Sequence, residues 1–132
     1  MLKRPKILVV GSFMMDLIAS TRRAPQSGET VVGLKFQTAP GGKGANQAVQ
    51  CARLGAQVTM VGQVGDDAFG RLLVDTLARA GIETRGIRVD PTVFTTLAFV
   101  TLVDGERSFS FARKPGADTV LRFDELELSL ID

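Results

Sequence analysis

The chain has 132 residues, 45% of them hydrophobic, a formal net charge of +2, one cysteine and no histidine. That length holds one globular core and is short for two, and the small, dispersed basic surplus leaves no electrostatic footprint for nucleic acid. No apolar run approaches the ~20 residues of a membrane span and Met1–Lys6 is too short and polar to lead a secretion signal, so a cytoplasmic protein is expected; with Cys51 alone in a helical apolar pattern, acid–base chemistry falls to carboxylates.

Ile7-Leu8-Val9-Val10, ending at Gly11, reads as a strand buried on both faces of a parallel sheet. From Asp16 to Thr38 the pattern is broken by Arg22, Arg23, Pro25 and Gly28, and Thr30–Phe36 reads as an exposed strand outside the main sheet. Lys43–Leu54 carries Ala45, Ala48, Val49 and Ala52 on one helical face, with Gly55 at the C′ position. Val58–Val64 reads as a second buried strand. Asp66 and Asp67 then offer N-caps for a helix with Phe69, Leu72, Leu73, Leu77 and Ala80 on one side, closed by Gly81. Strand, helix, strand, helix at this spacing predicts right-handed βαβ units and an α/β sheet. Thr95–Val103 and Arg107–Ala112 are joined by Asp104-Gly105, a type I′ turn signal, and predict a hairpin that pairs with Thr30–Phe36 as a small flap. Phe123-Asp124-Glu125-Leu126 begins a further capped helix whose pattern is still running at Asp132.

The stretch Pro40-Gly41-Gly42-Lys43-Gly44-Ala45-Asn46-Gln47-Ala48 runs a glycine-rich turn into an amphipathic helix. Glycines let backbone approach a ligand closely, and the first amides of a helix lack intrahelical partners, so they are expected to donate outward to a small polar ligand. The alternative is a tight helix entry and nothing more. Two nucleotide motifs fail on spacing: a P-loop needs a glycine five positions before the Gly42-Lys43 pair, where none stands, and Ser or Thr where Gly44 stands, and the dinucleotide fingerprint needs a glycine in place of Gln47. Asp16 follows the carboxyl end of the first strand, where open α/β sheets place ligand groups. It reads either as a turn residue or as an acceptor for two neighbouring sugar hydroxyls.

Together these segments resemble the ribokinase-like, or phosphofructokinase-B, family of carbohydrate kinases from Lys6 to about Glu127. The resemblance is carried by Val9-Val10-Gly11-Ser12 with Asp16, Gly28-Glu29-Thr30, Gly41-Gly42-Lys43-Gly44-Ala45-Asn46-Gln47-Ala48, Ala52-Arg53-Leu54-Gly55-Ala56 and Val64-Gly65-Asp66-Asp67-Ala68-Phe69-Gly70. It implies a Rossmann-like βαβ sheet with a small β lid, formed by strands within about 16–38 and 95–112. It also implies that Asp16, Gly42, Lys43 and Asn46 are sugar ligands, and that ATP and Mg2+ serve phosphorylation of a sugar primary hydroxyl, with ribose the first substrate expected. Two departures follow: many ribokinases carry asparagine where Met14 stands, and Phe109–Asp118 is more similar to the fructokinase branch, where Arg113 is a candidate to reach the sugar from the lid. Family members are considerably longer. The resemblance places the nucleotide site and the catalytic aspartate, in a Gly-Ala-Gly-Asp turn, in a C-terminal half absent here; Gly116-Ala117-Asp118 lacks the second glycine. No catalytic residue is therefore expected in this chain, whose partners are a small sugar and, through unpaired lid edges, a second copy of itself.

Overall fold

The computed structural model describes residues 3–131. In chain order its elements are β1 (Lys6–Val10), β2 (Met14–Ser20), β3 (Lys35–Gly41), α1 (Lys43–Arg53), β4 (Gln57–Gly65), α2 (Ala68–Arg79), β5 (Glu83–Asp90), β6 (Leu97–Val103) and β7 (Glu106–Ala112). Short 3-10 turns follow at Ala117–Thr119, Phe123–Glu125 and Leu128–Ile131. Asp132, Met1 and Leu2, on which two sequence expectations bear, lie outside the described residues.

Three strands form a parallel sheet in the order β1-β4-β5, with α1 and α2 as the connecting helices. The apolar residues of β4 suit it to the central position, and it is buried throughout from Met60 to Gly65. Helix α1 buries Gly44, Ala45 and Ala48, and α2 buries Gly70, Leu73 and Leu77. Their core with β1 and β4 includes Val9, Phe13, Met15, Met60, Val64 and Leu73. Asp67 caps α2 as expected, its carboxylate accepting from the Gly70 amide at 2.8 Å. Leu72 and Ala80, expected on the buried side, are exposed: Leu72 stands about 100° around the helix from Leu73 and so falls outside the contact stripe.

The remaining four strands form a mixed sheet in the order β3-β2-β6-β7. Asp104 and Gly105 both have positive φ, 47° and 82°, and close the β6–β7 hairpin as the type I′ signal predicts. Five points of the sequence reading need correction. A strand, β2, runs through Met14–Ser20, hidden in the sequence because Asp16 interrupts an otherwise apolar run. The strand expected at Thr30–Phe36 is instead Lys35–Gly41: pairing begins where Lys35 meets Ser20, the last residue of β2, and Val32 upstream is 86% exposed. The hairpin consequently pairs with β2, in parallel, and not with the flap strand. Finally β5 carries polar and charged residues among Gly86, Ile87 and Val89, which masked it, and Phe123–Glu125 is a single 3-10 turn because the Asp124 carboxylate bonds Arg122 at 3.0 Å in place of capping a helix.

Among the described residues no helix is long and apolar enough to cross a membrane.

Candidate functional site

The strand alternation of β2 sends Met15 and Leu17 into the main core and leaves Met14, Asp16 and Ile18 on the opposite face. There Asp16 stands beside Ala39 of β3 and Ala98 of β6, and Ala98 stands opposite Phe111 of β7. The Phe109 and Phe111 rings stack on this face at 6.2 Å, each 54% exposed. Asp16 is thus a half-buried carboxylate on a largely apolar floor. Burial pushes its carboxyl above the ordinary aspartate range, while the Arg107 charge pulls the other way.

The glycine run fits against this strand by close backbone approach. A Cβ on Gly41 would stand 2.7 Å from Asp16 Oδ1 and 2.9 Å from Oδ2, so the carboxylate lies directly over Gly41. Gly42 has φ 100°, a conformation that favours glycine, and a Cβ there would stand 2.5 Å from the Ser12 carbonyl oxygen. Gly44 packs on Gly11, where its own Cβ would stand 2.7 Å from the Gly11 Cα. These contacts bring the Gly11–Phe13 link, the start of α1 and Asp16 into one corner.

One expectation is overturned here. The first amides of α1 do not all face outward: Ala45 N donates to the Ser12 carbonyl at 3.2 Å and Gly44 N to Ser12 Oγ at 3.5 Å. Ser12 satisfies both amides from the loop between β1 and β2. Lys43 is exposed on the first turn of α1, and Asn46 is exposed one turn along. Asn46 also lines a cavity of about 390 Å³ between α1 and α2, with Pro40, Val49 and Arg53. The structure therefore brings Asp16 against Gly41, with Gly42 next in the chain packed on Ser12, and sets Lys43 and Asn46 on the adjoining exposed helix turns.

Arg113 does not reach this corner. Its guanidinium donates to Asp118 Oδ2 at 3.0 Å, and Asp118, whose side chain is 1% exposed, also accepts from the Thr96 hydroxyl. Asp118 is accordingly a buried structural carboxylate, in keeping with the sequence reading of Gly116-Ala117-Asp118. Ala98, Arg107, Phe109 and Phe111 were not singled out as site residues from sequence; the hairpin was visible, but only the β2–β6 register puts it beside Asp16. Among the described residues no group of three or more His, Cys, Asp or Glu could hold a metal ion.

The family pattern described as pfkB family carbohydrate kinase matches residues 4–130. The chain is 47% identical over 102 residues to the ribokinase of Bacillus subtilis, covering 77% of this chain and 35% of that protein. It is 50% identical over 97 residues to the fructokinase of Solanum tuberosum, covering 73% of this chain and 30% of the relative. It thus spans about a third of the length of these curated relatives. The crystal structure of the ATP-bound fructokinase of Xylella fastidiosa superposes with a TM-score of 0.79 at 40% identity, over 96% of this chain and 39% of that one. With a match across nearly all of its residues and a shared arrangement of sheet and β layer, this chain belongs to the pfkB family of carbohydrate kinases and has the ribokinase-like fold.

Proposed function

We propose that this chain is the sugar-binding and lid portion of a kinase that transfers phosphate from ATP to the primary hydroxyl of a furanose, ribose in the first place. The observation that carries the reading is the Asp16 carboxylate lying over Gly41, at the start of α1 and on an apolar floor. An ionised carboxylate accepts from two adjacent hydroxyls, and a half-buried one does so with less competition from water. Gly42 adds backbone that a sugar approaches without a Cβ in the way, and Lys43 and Asn46 add donors and an acceptor from the first turns of α1. The β3-β2-β6-β7 sheet acts as the lid: it excludes water from the bound sugar, which limits hydrolysis of ATP in place of transfer. None of these roles passes through magnesium. No Gly-Ala-Gly-Asp turn occurs in this sequence, so sugar binding without turnover is the behaviour expected of the chain by itself; absence of a general base alone lowers rate by roughly 10²–10⁴.

The test is calorimetric or ligand-observed NMR titration of the chain with ribose. Saturable binding that Asp16→Ala and Asn46→Ala abolish supports the reading; affinity unchanged in both variants overturns the pocket.

Fructose is the second reading. It is favoured by 50% identity to a fructokinase and by Met14, which offers no hydroxyl partner where many ribokinases carry asparagine. Tighter binding of fructose than of ribose in the same titration selects it.

A further inference from the structure

Two aspartates outside the Asp16 site hold the base of the β6–β7 hairpin. Thr95 and Thr96, immediately ahead of β6, are 1% and 0% exposed, and each is gripped by its own carboxylate. Asp67, at the head of α2, accepts from the Thr95 amide and from the Thr95 hydroxyl, both at 2.8 Å, while Thr95 Oγ1 in turn accepts from the Gly65 amide at 2.9 Å. Asp118 accepts from the Thr96 hydroxyl and from Arg113.

The surroundings are built to let these groups close. A Cβ on Gly65 would stand 2.6 Å from Thr95 N and 2.7 Å from Asp67 Oδ2; one on Gly70 would run into the Gly65 carbonyl, and one on Gly116 into the Thr96 side chain. The Gly65–Gly70 block, which capping of α2 alone does not explain, thereby acquires a physical reason. Burial opposes the Asp67 charge, yet its donors, the Thr95 amide foremost, outweigh that and hold the carboxyl below the ordinary aspartate range. The clamp is charged at neutral pH.

What the clamps hold is the register beside Asp16. Met15 N donates to the Thr96 carbonyl at 3.1 Å, and two residues on Ala98 stands next to Asp16 in the β2–β6 ladder. A slip of one residue in β6 would turn its other face to Asp16, replacing Ala98 by Leu97 or Phe99. We infer that Asp67 and Asp118, acting through Thr95 and Thr96, are positioning residues of the sugar site: they pin the start of β6 so that the hairpin presents Ala98 to Asp16. This rests on the sugar-binding reading above.

The experiment compares the wild-type chain with Thr95→Val, Thr95→Ser and Asp118→Asn by residue-resolved hydrogen exchange, thermal unfolding and ribose and fructose titration. In Thr95→Val the shape is kept and the hydroxyl lost. Its β6 and β7 amides are expected to exchange about 10- to 100-fold faster, the scale of hydrogen bonds to a charged group, together with the Gly65 amide that loses its acceptor, with the rest of β4 and α1 unchanged and sugar affinity reduced by a similar factor. Thr95→Ser is expected to retain both properties, and Asp118→Asn to loosen the same hairpin, which keeps the test decisive if Thr95→Val does not fold. Unchanged hairpin exchange in both Thr95→Val and Asp118→Asn, or uniform loosening with sugar affinity intact in the folded protein, overturns the inference. If the wild type binds neither sugar, the sugar reading fails separately, and the exchange data still decide whether the clamps pin β6.

Discussion

Gly42→Ala is the substitution for which the structure specifies a magnitude. Gly42 has φ 100° and ψ 131°, a backbone conformation in which an L-residue is strained by about 1–3 kcal/mol. A Cβ there would also stand 2.5 Å from the Ser12 carbonyl oxygen and 2.8 Å from its carbon. That carbonyl cannot step aside freely, because it accepts from Ala45 N at 3.2 Å and so fixes the first turn of α1. Overpacking of this kind adds about 1–3 kcal/mol, and together the two effects come to about 2–6 kcal/mol against the 5–15 kcal/mol typical of a domain. Gly28 is an internal control: its φ is 78°, but a Cβ on it would meet nothing within 4 Å. Gly28→Ala therefore carries only the backbone strain, about 1–2 kcal/mol. Urea unfolding of the two variants beside the wild type measures both quantities. Equal destabilisation by Gly28→Ala and Gly42→Ala would refute the argument that Ser12 is a steric wall behind the site.

Further outcomes are expected. Leu77→Ala, at a residue 2% exposed, should lose about 2–5 kcal/mol in the same assay, whereas Leu72→Ala, at one 47% exposed, should stay within about 0.5 kcal/mol; similar losses would mean that the buried stripe of α2 is misplaced. Asp16 has its carboxyl raised, so its ionised form opposes folding: stability should increase as pH falls through the folded-state value, while sugar affinity, which needs the ionised form, should decrease over the same interval. Asp16→Asn should abolish both titrations and unfold at a slightly higher temperature, and a fall in melting temperature would contradict the burial argument. Glu29 is held down to about 2, by Arg23 first and by the Gln26 amide second. Its contribution is present above the ordinary glutamate value and is lost as pH falls from there through about 2. An NMR titration should find that midpoint in the wild type and a higher one in Arg23→Ala; a midpoint indifferent to Arg23 would remove the ion pair from the account.

The parts of the molecule that were legible in the sequence are those with a local cause. An apolar run ending at Gly11 makes β1, the i, i+3, i+7 spacing makes α1 and α2, and positive φ at Asp104 and Gly105 makes the hairpin. That Asp16 and the glycine run belong together was legible because a glycine run before a helix and a carboxylate after a strand each have a chemical reason to face a ligand, and the structure sets the Asp16 carboxylate over Gly41. The rest depends on long-range partners. Asp16 breaks the apolar pattern of Met14–Ser20, so nothing local marks β2 as a strand; it is one because β3 and β6 flank it on both sides. Thr30–Gly33 has the composition of a strand but no ladder partner, since β2 ends at Ser20. Ser12 took up the Gly44 and Ala45 amides for the same kind of reason, a contact across 32 residues that no short pattern contains.

The strand order β3-β2-β6-β7 also bears on how the protein is made. β2 and β3 are close in the chain and can zip together as soon as residue 41 is available, yet the other neighbour of β2 begins only at Leu97. On a chain synthesised from its N-terminus, that edge stays open while α1, β4, α2 and β5 are laid down, and such unpaired edges invite aggregation. Closing it requires a loop of roughly 80 residues, a slow step in any β topology. The Asp16 corner is then the last part of the fold to mature, and a chaperone that shields β2 until β6 arrives would raise the yield of binding-competent protein more than it raises the yield of helix.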